Sequence, residues 1–218
     1  MITEVLLYGD SGLMCNFGNK VTPQVNDAVL FVNNQIQQLT GILYTVPTYN
    51  KLVVYFDKTQ VSTSLVIDTI KQIKIPANLS SGKVHNIPVC YDLEFGLDLV
   101  KISEYIGLSI KQTVESHYSK PLYMYGYGFL PGMPKYGDTT YCAPRRLEKP
   151  RSSVPAGSLG WVEYYGSAYT KESPGGWNIV GRTPIQFFDK SKQSPCLIDP
   201  GDWIQFYPIT LKEFYAWN

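Results

Sequence analysis

Short alternations of apolar and polar residues open the chain, and they indicate strands rather than helices. Apolar residues alternate on either side of a glycine-rich corner at 9–12, which predicts two strands joined by a tight loop. Two further apolar runs, 42–49 and 52–56, are separated only by Asn50 and Lys51 and predict a second hairpin. The first quarter of the chain is therefore expected to supply four strands.

Between and after these strands, apolar residues recur at the spacing of an α-helix. The first helix has Thr22 as its N-cap, Pro23 at its first helical position and Gly41 at its end. The second runs over residues 62–73, and the positions expected to face the core are Leu65, Ile70 and Ile73. The order ββαββα is typical of a small α/β sandwich with its helices on one face of a sheet.

The periodicity is lost over residues 75–86, where Pro, Asn, Ser and Gly are frequent and predict a linker. Beyond this segment, strands are predicted at 87–91, 123–129, 185–189 and 203–207, and helices at 98–106 and 109–117. The chain is therefore expected to hold two domains, 1–80 and 84–218, and its fold class is expected to be α+β.

Glycine and proline punctuate residues 125–184 every few positions, so this stretch is expected to have a stiff backbone with many turns. It carries guanidinium, hydroxyl and aromatic side chains, which together are typical of a pocket that binds anions. The polar candidates are Arg145, Arg151, Arg182, Ser158, Ser173 and Thr183, and the aromatic candidates are Phe129, Tyr136 and Trp177. A second interpretation stays open, in which each arginine pins a loop by bonding backbone carbonyls or a carboxylate such as that of Glu148.

Two further features of the sequence are candidates for a nucleotide site and for a catalytic site. Residues 176–183 have the spacing of a phosphate-binding loop, but strand-like residues lie between the glycines and Pro184 follows, so no helix can begin there. His85 lies in the predicted linker and has no catalytic context. His117 ends a predicted helix, where a cation favoured by the helix dipole is expected rather than a catalytic base.

The bulk composition narrows the classes of function. Apolar residues make up 44% of the chain, and the net charge of +1 argues against binding to nucleic acid or to an anionic membrane surface. No apolar run is long enough to cross a membrane, and no secretory leader is apparent. The four scattered cysteines lack the spacing of a metal site, so free thiols, no bound metal and a cytoplasmic location are expected.

Three long motifs carry a resemblance to a known family. They are GFLPGMP at 128–134, PRRLEKPRSSVPAGS at 144–158 and SPGGWNIVGRTP at 173–184. The chain thereby resembles the allophanate hydrolase subunit 1 family, which includes Kip-type kinase inhibitors and the B-type subunits of bacterial 5-oxoprolinases. The resemblance extends to the N-terminal LLYGDSGLMCNFG and to IPVCYDLEFGLDL at 87–99, and therefore spans nearly the whole chain.

The resemblance implies a small N-terminal α/β domain followed by a cyclophilin-like β-barrel. It also implies one subunit of an ATP-dependent 5-oxoprolinase, which opens 5-oxo-L-proline to L-glutamate. The implied partners are a C-type (Kip antagonist-like) and an A-type (LamB/YcsF-like) subunit, with ATP used by the complex. Two alternatives are a regulatory protein that inhibits a sensor histidine kinase, and a subunit of a related ATP-dependent amide or urea-type hydrolase or carboxyltransferase.

The family's groove is carried over by motif. The implied groove residues are Phe129, Pro131, Gly132, Arg145, Arg151, Ser158, Ser173, Trp177, Arg182 and Thr183. Two departures from the family lie nearby. The family usually has an aromatic residue and a tyrosine after the Pro-Gly of this loop, whereas the chain has Met133-Pro134-Lys135-Tyr136-Gly137. The more serious departure is that the chain has Tyr165-Gly166-Ser167 where the family has Gln-Thr-Gly. This departure predicts either an altered specificity or a non-catalytic role.

Overall fold

The structure is a computed structural model and describes residues 2–79 and 82–217. The chain divides into two units, Met1–Ser81 and Gly82–Asn218, and each unit has a hydrophobic core of its own. The first unit contains two helices and four strands, and the second contains a closed β-barrel with three short helices. The predicted α+β class with a β-barrel is confirmed.

The first unit has the predicted order ββαββα. Its elements are β1 (Glu4–Leu7), β2 (Gly12–Asn16), α1 (Pro23–Ile36), β3 (Ile42–Pro47), β4 (Lys51–Phe56) and α2 (Thr63–Gln72). The strands form an antiparallel sheet in the order β1-β2-β4-β3. Alternate residues of β2 and β4 are fully buried together with the apolar face of α1, as strand and helix periodicities require.

Two details of the first unit differ from the sequence-based expectations. Helix α1 ends at Ile36 rather than at Gly41, because the amides of Gln38 and Leu39 bond carbonyls three residues back, in tight turns. Gly41 then takes a φ of +92°. In α2, Leu65 is 50% exposed, whereas Val66 and Ile70 are fully buried. The buried stripe of α2 therefore begins one residue later than predicted.

The second unit contains nine strands and three helices. They are β5 (Val84–Cys90), α3 (Leu99–Ile106), α4 (Ile110–Tyr118), β6 (Leu122–Tyr127), β7 (Pro134–Gly137), β8 (Arg151–Val154), β9 (Ser158–Val162), β10 (Tyr165–Ala168), β11 (Ser173–Gly175), β12 (Asn178–Arg182), β13 (Trp203–Ile209) and α5 (Leu211–Tyr215). Seven strands close the barrel in the order β10-β7-β6-β13-β5-β12-β9, and β8 pairs with β11 as a separate ribbon. The pairing of β5 with β13 is parallel, and the other pairings are antiparallel.

The barrel core includes a buried histidine that sequence reasoning placed wrongly. His117 is 2% exposed, stacks on Phe206 at 5.1 Å between ring centroids, and has its Nδ1 2.9 Å from the hydroxyl of Tyr91. Burial lowers the pKa of His117 to about 3, so the ring is neutral at physiological pH. The expected helix-end cation is therefore wrong, because the last turn of α4 packs into the core instead of facing solvent.

Long-range pairing decides two other boundaries. The predicted linker extends too far, because residues 84–86 belong to β5 and pair with residues 203–205 of β13. The predicted strand at 185–189 is wrong. The Thr183 Oγ1 accepts from the Ile185 amide. The backbone of 187–189 pairs only briefly with 195–197, through one bridge between Phe188 and Cys196 that is flanked by two backbone hydrogen bonds.

The longest helix in the described part of the chain has 14 residues, and no described helix is long and apolar enough to cross a membrane. Residues 178–182 of the sequence pattern at 176–183 form strand β12, and no helix lies between β12 and β13, so the prediction that no helix begins there is confirmed.

Candidate functional site

One cavity of the second unit combines aromatic walls with two cationic side chains. Its volume is about 400 Å³, within the usual range for sites that bind small molecules. It is lined by Phe129, Met133, Lys135, Arg146, Pro150, Tyr169, Pro174, Gly175, Gly176 and Trp177. We refer to it as the lysine cavity.

Lys135 reaches this cavity from the middle of β7, where its neighbours Pro134 and Tyr136 are buried. Its Nζ donates to the hydroxyl of Ser167, 3.0 Å away on the adjacent strand β10, where the two residues are cross-strand partners. The Ser167 hydroxyl in turn donates to the carbonyl of Pro134 at 2.8 Å. The direction of one Lys135 N–H bond is therefore set by the sheet.

The charge on Lys135 has an aromatic neighbour but no carboxylate partner among the described residues. Its Nζ lies 4.7 Å from the ring centroid of Trp177, within range of a cation–π contact. Burial first, and then the positive charge of Arg146, lower the pKa of Lys135 from 10.5 to about 8. Lys135 therefore carries its proton at pH 7 and gives it up about one pH unit higher.

Arg146 is exposed and belongs to a loop that is tied to the end of β11. The Leu147 amide donates to the Gly176 carbonyl at 2.7 Å, which keeps Arg146 beside Gly176 and Trp177. Within residues 2–79 and 82–217, neither Arg146 nor Lys135 has a carboxylate within 4.0 Å. Two neighbouring cations without a counter-ion are suited to binding an anion.

The inner wall of the cavity requires a glycine. The Trp177 amide donates to the phenol oxygen of Tyr169, and that oxygen lies against Gly175. A Cβ at position 175 would lie 2.2 Å from it, so any larger residue would displace the tyrosine. The motif SPGGW therefore places the Tyr169 and Trp177 side chains in contact with the cavity.

Phe129 lies at the rim of the cavity and is 70% exposed. Its φ of +77° is in the left-handed region, which costs a non-glycine residue about 1 kcal/mol or more. The surrounding loop is held by the bond from the Gly128 amide to the Met133 carbonyl, and by the Thr170 hydroxyl, which donates to Pro131. An exposed aromatic ring held in a strained backbone is suited to contacting a ligand.

The three arginines of the sequence-based groove do not converge. The Arg145 side chain is 90% exposed and lies 3.6 Å from the carboxylate of Glu163, not Glu148. Arg151 donates to Asp98 at 2.8 Å, and the other oxygen of Asp98 accepts the Ile179 amide. These contacts agree with the interpretation in which arginines pin loops.

Arg182 is also held by a hydrogen bond within the protein, but in a different part of the second unit. Its Nε donates to the Ala156 carbonyl at 2.9 Å, and its guanidinium lies over Phe95 and Phe214 at 5.6 and 5.7 Å. With Thr183, it lines a separate cavity of about 430 Å³ beside the C-terminal helix. Arg182 therefore lies outside the lysine cavity.

The remaining candidates divide between the cavity and its surroundings. Phe129 and Trp177 line the lysine cavity, and Pro131 and Gly132 share the loop of Phe129. Ser158 is almost fully buried, and the buried Ser173 hydroxyl has no hydrogen-bond partner among the described residues. Sequence reasoning missed Lys135 and Arg146. The single lysine within the largely apolar segment MPKYG was a usable signal for a functional cation.

The departure from the family's Gln-Thr-Gly lies next to this cavity. Tyr165-Gly166-Ser167 is the first part of β10, and Ser167 contacts Lys135. A Cβ at Gly166 would lie 1.8 Å from Cε2 of Tyr136, so the tyrosine ring occupies the space that a threonine would need. The altered residues therefore affect both the packing of the barrel and the surroundings of Lys135.

Comparison with known proteins assigns the chain to a family. The pattern of the carboxyltransferase domain, subdomain C and D, matches residues 3–198. The chain belongs to this family. The B-type subunit of the Bacillus subtilis 5-oxoprolinase is 30% identical over 96% of this chain and 94% of its own length, which also confirms the resemblance to the allophanate hydrolase subunit 1 family.

Two solved structures share the fold. The crystal structure of TTHA0988 is 27% identical with a TM-score of 0.79, and the match covers 92% of this chain and 40% of that one. The K. lactis urea amidolyase has a TM-score of 0.80 at 20% identity, covering 99% of this chain and 16% of that one. This chain therefore spans only part of these longer proteins.

Proposed function

We propose that this protein is a subunit of an ATP-dependent 5-oxoprolinase, inactive alone, that opens 5-oxo-L-proline to L-glutamate together with an A-type and a C-type subunit. The observation that carries the proposal is the similarity to the B-type subunit of 5-oxoprolinase over nearly the full length of both chains, at 30% identity. Two further proteins of that name, from Escherichia coli and Haemophilus influenzae, are also 30% identical over 93% of the chain.

The lysine cavity supports this substrate class. The substrate 5-oxoproline joins a carboxylate to a flat five-membered cyclic amide, so it needs both an anion ligand and an apolar wall. Arg146, Trp177 and Phe129 all line the cavity. In the proposal, Arg146 binds the carboxylate, and the rings of Trp177 and Phe129 contact the amide ring. In this arrangement Lys135 lies beside the amide group.

The residues of this chain do not fit a nucleotide site of the phosphate-loop type. Such a site needs stacked backbone amides at the start of a helix, whereas the glycine pattern at 176–183 forms strand β12. In the proposal, ATP is used by the complex, and this chain binds and orients the cyclic amide.

Co-expression with the neighbouring A-type and C-type subunits tests the proposal. We expect ATP-dependent release of glutamate from 5-oxoproline only when all three chains are present. Arg146→Ala is expected to lower kcat/KM at least about 30-fold, mainly through KM, because it removes the carboxylate ligand. Lys149→Ala, an exposed cation of the same loop outside the cavity, is the matched control and is expected to retain activity.

The other outcomes separate the alternatives. A well-formed complex without activity on 5-oxoproline would contradict this substrate and favour a related amide or urea-type hydrolase, consistent with the Tyr165-Gly166-Ser167 departure. Failure to form any complex would contradict the subunit role and favour the hypothesis of a protein that binds a sensor histidine kinase.

A further inference from the structure

The hydrogen bond between Lys135 and Ser167 has only one possible polarity. The Ser167 hydroxyl proton is committed to the Pro134 carbonyl, 2.8 Å away, so its oxygen is left to accept from the Lys135 ammonium at 3.0 Å. Ser167 is fully buried and lies on a strand of the closed barrel. Ser167 therefore acts as a fixed acceptor for one of the three Lys135 protons.

The other two protons are available to the cavity. No carboxylate among the described residues lies within 4.0 Å of Nζ, and its remaining close neighbour is the face of Trp177 at 4.7 Å. A partly buried ammonium with no carboxylate within 4.0 Å among the described residues, next to a second cation, is unfavourable for folding alone. That arrangement is typical of a group retained for binding or for proton transfer.

We propose that Lys135 is the acid that protonates the ring nitrogen as the cyclic amide opens, and that Ser167 positions it for that transfer. The inference rests on the proposed function, which places a cyclic amide in the lysine cavity. Its partner in the transfer is the nitrogen that leaves the carbonyl carbon. An amide nitrogen is a poor leaving group unless it gains a proton as the bond breaks.

The proposed step starts from the cyclic amide whose carbonyl oxygen carries the phosphoryl group that ATP supplies in the proposed function. The oxygen of a water molecule bonds to that carbon, and the carbon–nitrogen bond then breaks with its electron pair remaining on nitrogen. Lys135 Nζ transfers a proton to that nitrogen and becomes a neutral amine, and a proton released by the attacking water restores the ammonium. The products are a free amine and an acyl phosphate, which a second water molecule hydrolyses to a carboxylate and inorganic phosphate.

The pKa of Lys135 supports this role, because at about 8 the group holds its proton at pH 7 and transfers it at little cost. Its titration is governed by the groups that face it, which are Arg146, Trp177 and Ser167. Loss of the Ser167 acceptor would destabilise the ammonium and lower this pKa further.

The test uses the three-subunit complex. Lys135→Met is expected to lower kcat at least about 100-fold while KM changes less than about threefold, as for loss of a general acid. Ser167→Ala is expected to lower kcat and to move the alkaline limb of its pH profile to lower pH. Ser167→Thr, which keeps the hydroxyl, is expected to restore both.

Ser103→Ala is the matched control, because Ser103 is also buried and its hydroxyl donates to a backbone carbonyl at 2.7 Å, but on α3 outside the cavity. It is expected to leave the profile unchanged. In parallel, NMR titration of lysine-labelled full-length chain, with Lys135→Met for assignment, measures the Lys135 pKa without any assay of activity.

The outcomes distinguish the inference from the proposed function. An active complex in which Lys135→Met keeps more than half of kcat would overturn the acid role and leave the proposed function standing. An inactive wild-type complex would contradict the proposed function and the acid role together. An unchanged Lys135 titration in Ser167→Ala would overturn the positioning role whether or not the complex is active.

Discussion

Two bases of the second unit, the partly buried Lys135 and the fully buried His117, differ in charge at pH 7. Burial lowers both pKa values, to about 8 and about 3. At pH 7 the histidine therefore becomes neutral and packs as an aromatic ring, whereas the lysine stays charged in a partly apolar cavity. The histidine is compatible with a stable core, and the lysine costs stability.

We expect Lys135→Met to raise the free energy of unfolding by about 1–2 kcal/mol at pH 7. The substitution removes a partly buried charge and keeps an unbranched side chain of similar length. The folded state binds fewer protons than the unfolded state between pH 8 and 10.5, so wild-type stability rises across that window. The variant is expected to lack that rise. Chemical denaturation at several pH values measures both effects, and a less stable variant at pH 7 would contradict the argument.

His117 gives the opposite pH window. Its folded pKa of about 3 lies below the ordinary value of 6.5, so stability is fully present above pH 6.5 and falls as the pH drops toward 3. This contribution amounts to about 3 kcal/mol between pH 7 and pH 4. His117→Gln cannot take up the proton. Its free energy of unfolding is therefore expected to fall between pH 7 and pH 4 by about 3 kcal/mol less than that of the wild type, which denaturation curves at the two pH values measure.

At the scale of elements, the middle residue of the altered family motif is set by its neighbour across the sheet. Gly166 on β10 leaves room for the ring of Tyr136 on β7, which is fully buried in the barrel core. The two residues therefore form one packing unit, and a change in either alone is expected to be costly.

We expect Gly166→Ala to lower the free energy of unfolding by at least about 3 kcal/mol, since the new Cβ would overlap the ring. Tyr136→Leu alone is expected to leave a cavity and cost a similar amount. The double variant is expected to be more stable than the sum of the two losses predicts. Denaturation of all four proteins measures this coupling, and strict additivity would disprove the packing unit.

Elements were predictable from sequence where their signals are local. The N-caps Thr22, Ser62 and Ser109 each accept a backbone hydrogen bond as their residue types indicate, and the first hairpin lies where its glycines predict. The errors lie where a distant partner decides the structure. Residues 84–86 become a strand only through β13, and 185–189 find only a short pairing, a single bridge between Phe188 and Cys196.

The candidate site was predictable only in part for the same reason. The aromatic members, Phe129 and Trp177, follow from the family motifs. The cations do not, because Arg145 and Arg146 are adjacent in sequence and only the loop geometry turns Arg146 toward the cavity. Lys135 acquires its role from Ser167, which lies 32 positions away.

At the scale of the whole molecule, the two units carry different spectroscopic reporters. All four tryptophans lie in the second unit, whereas both units contribute secondary structure. Because each unit has its own core, we expect tryptophan fluorescence and far-UV circular dichroism to give non-coincident denaturation curves. Coincident curves would mean that the two cores unfold as one.

The parallel pairing of β5 with β13 also has a consequence during synthesis. These strands begin the second unit and nearly end it, and the bond from the Lys83 amide to the Asp202 carboxylate spans 119 positions. Until residues 203–209 have been synthesised, the edge of β5 that pairs with β13 is open. The barrel therefore closes only after residues 203–209 have been synthesised, and a nascent chain stalled before residue 203 is expected to need chaperone protection.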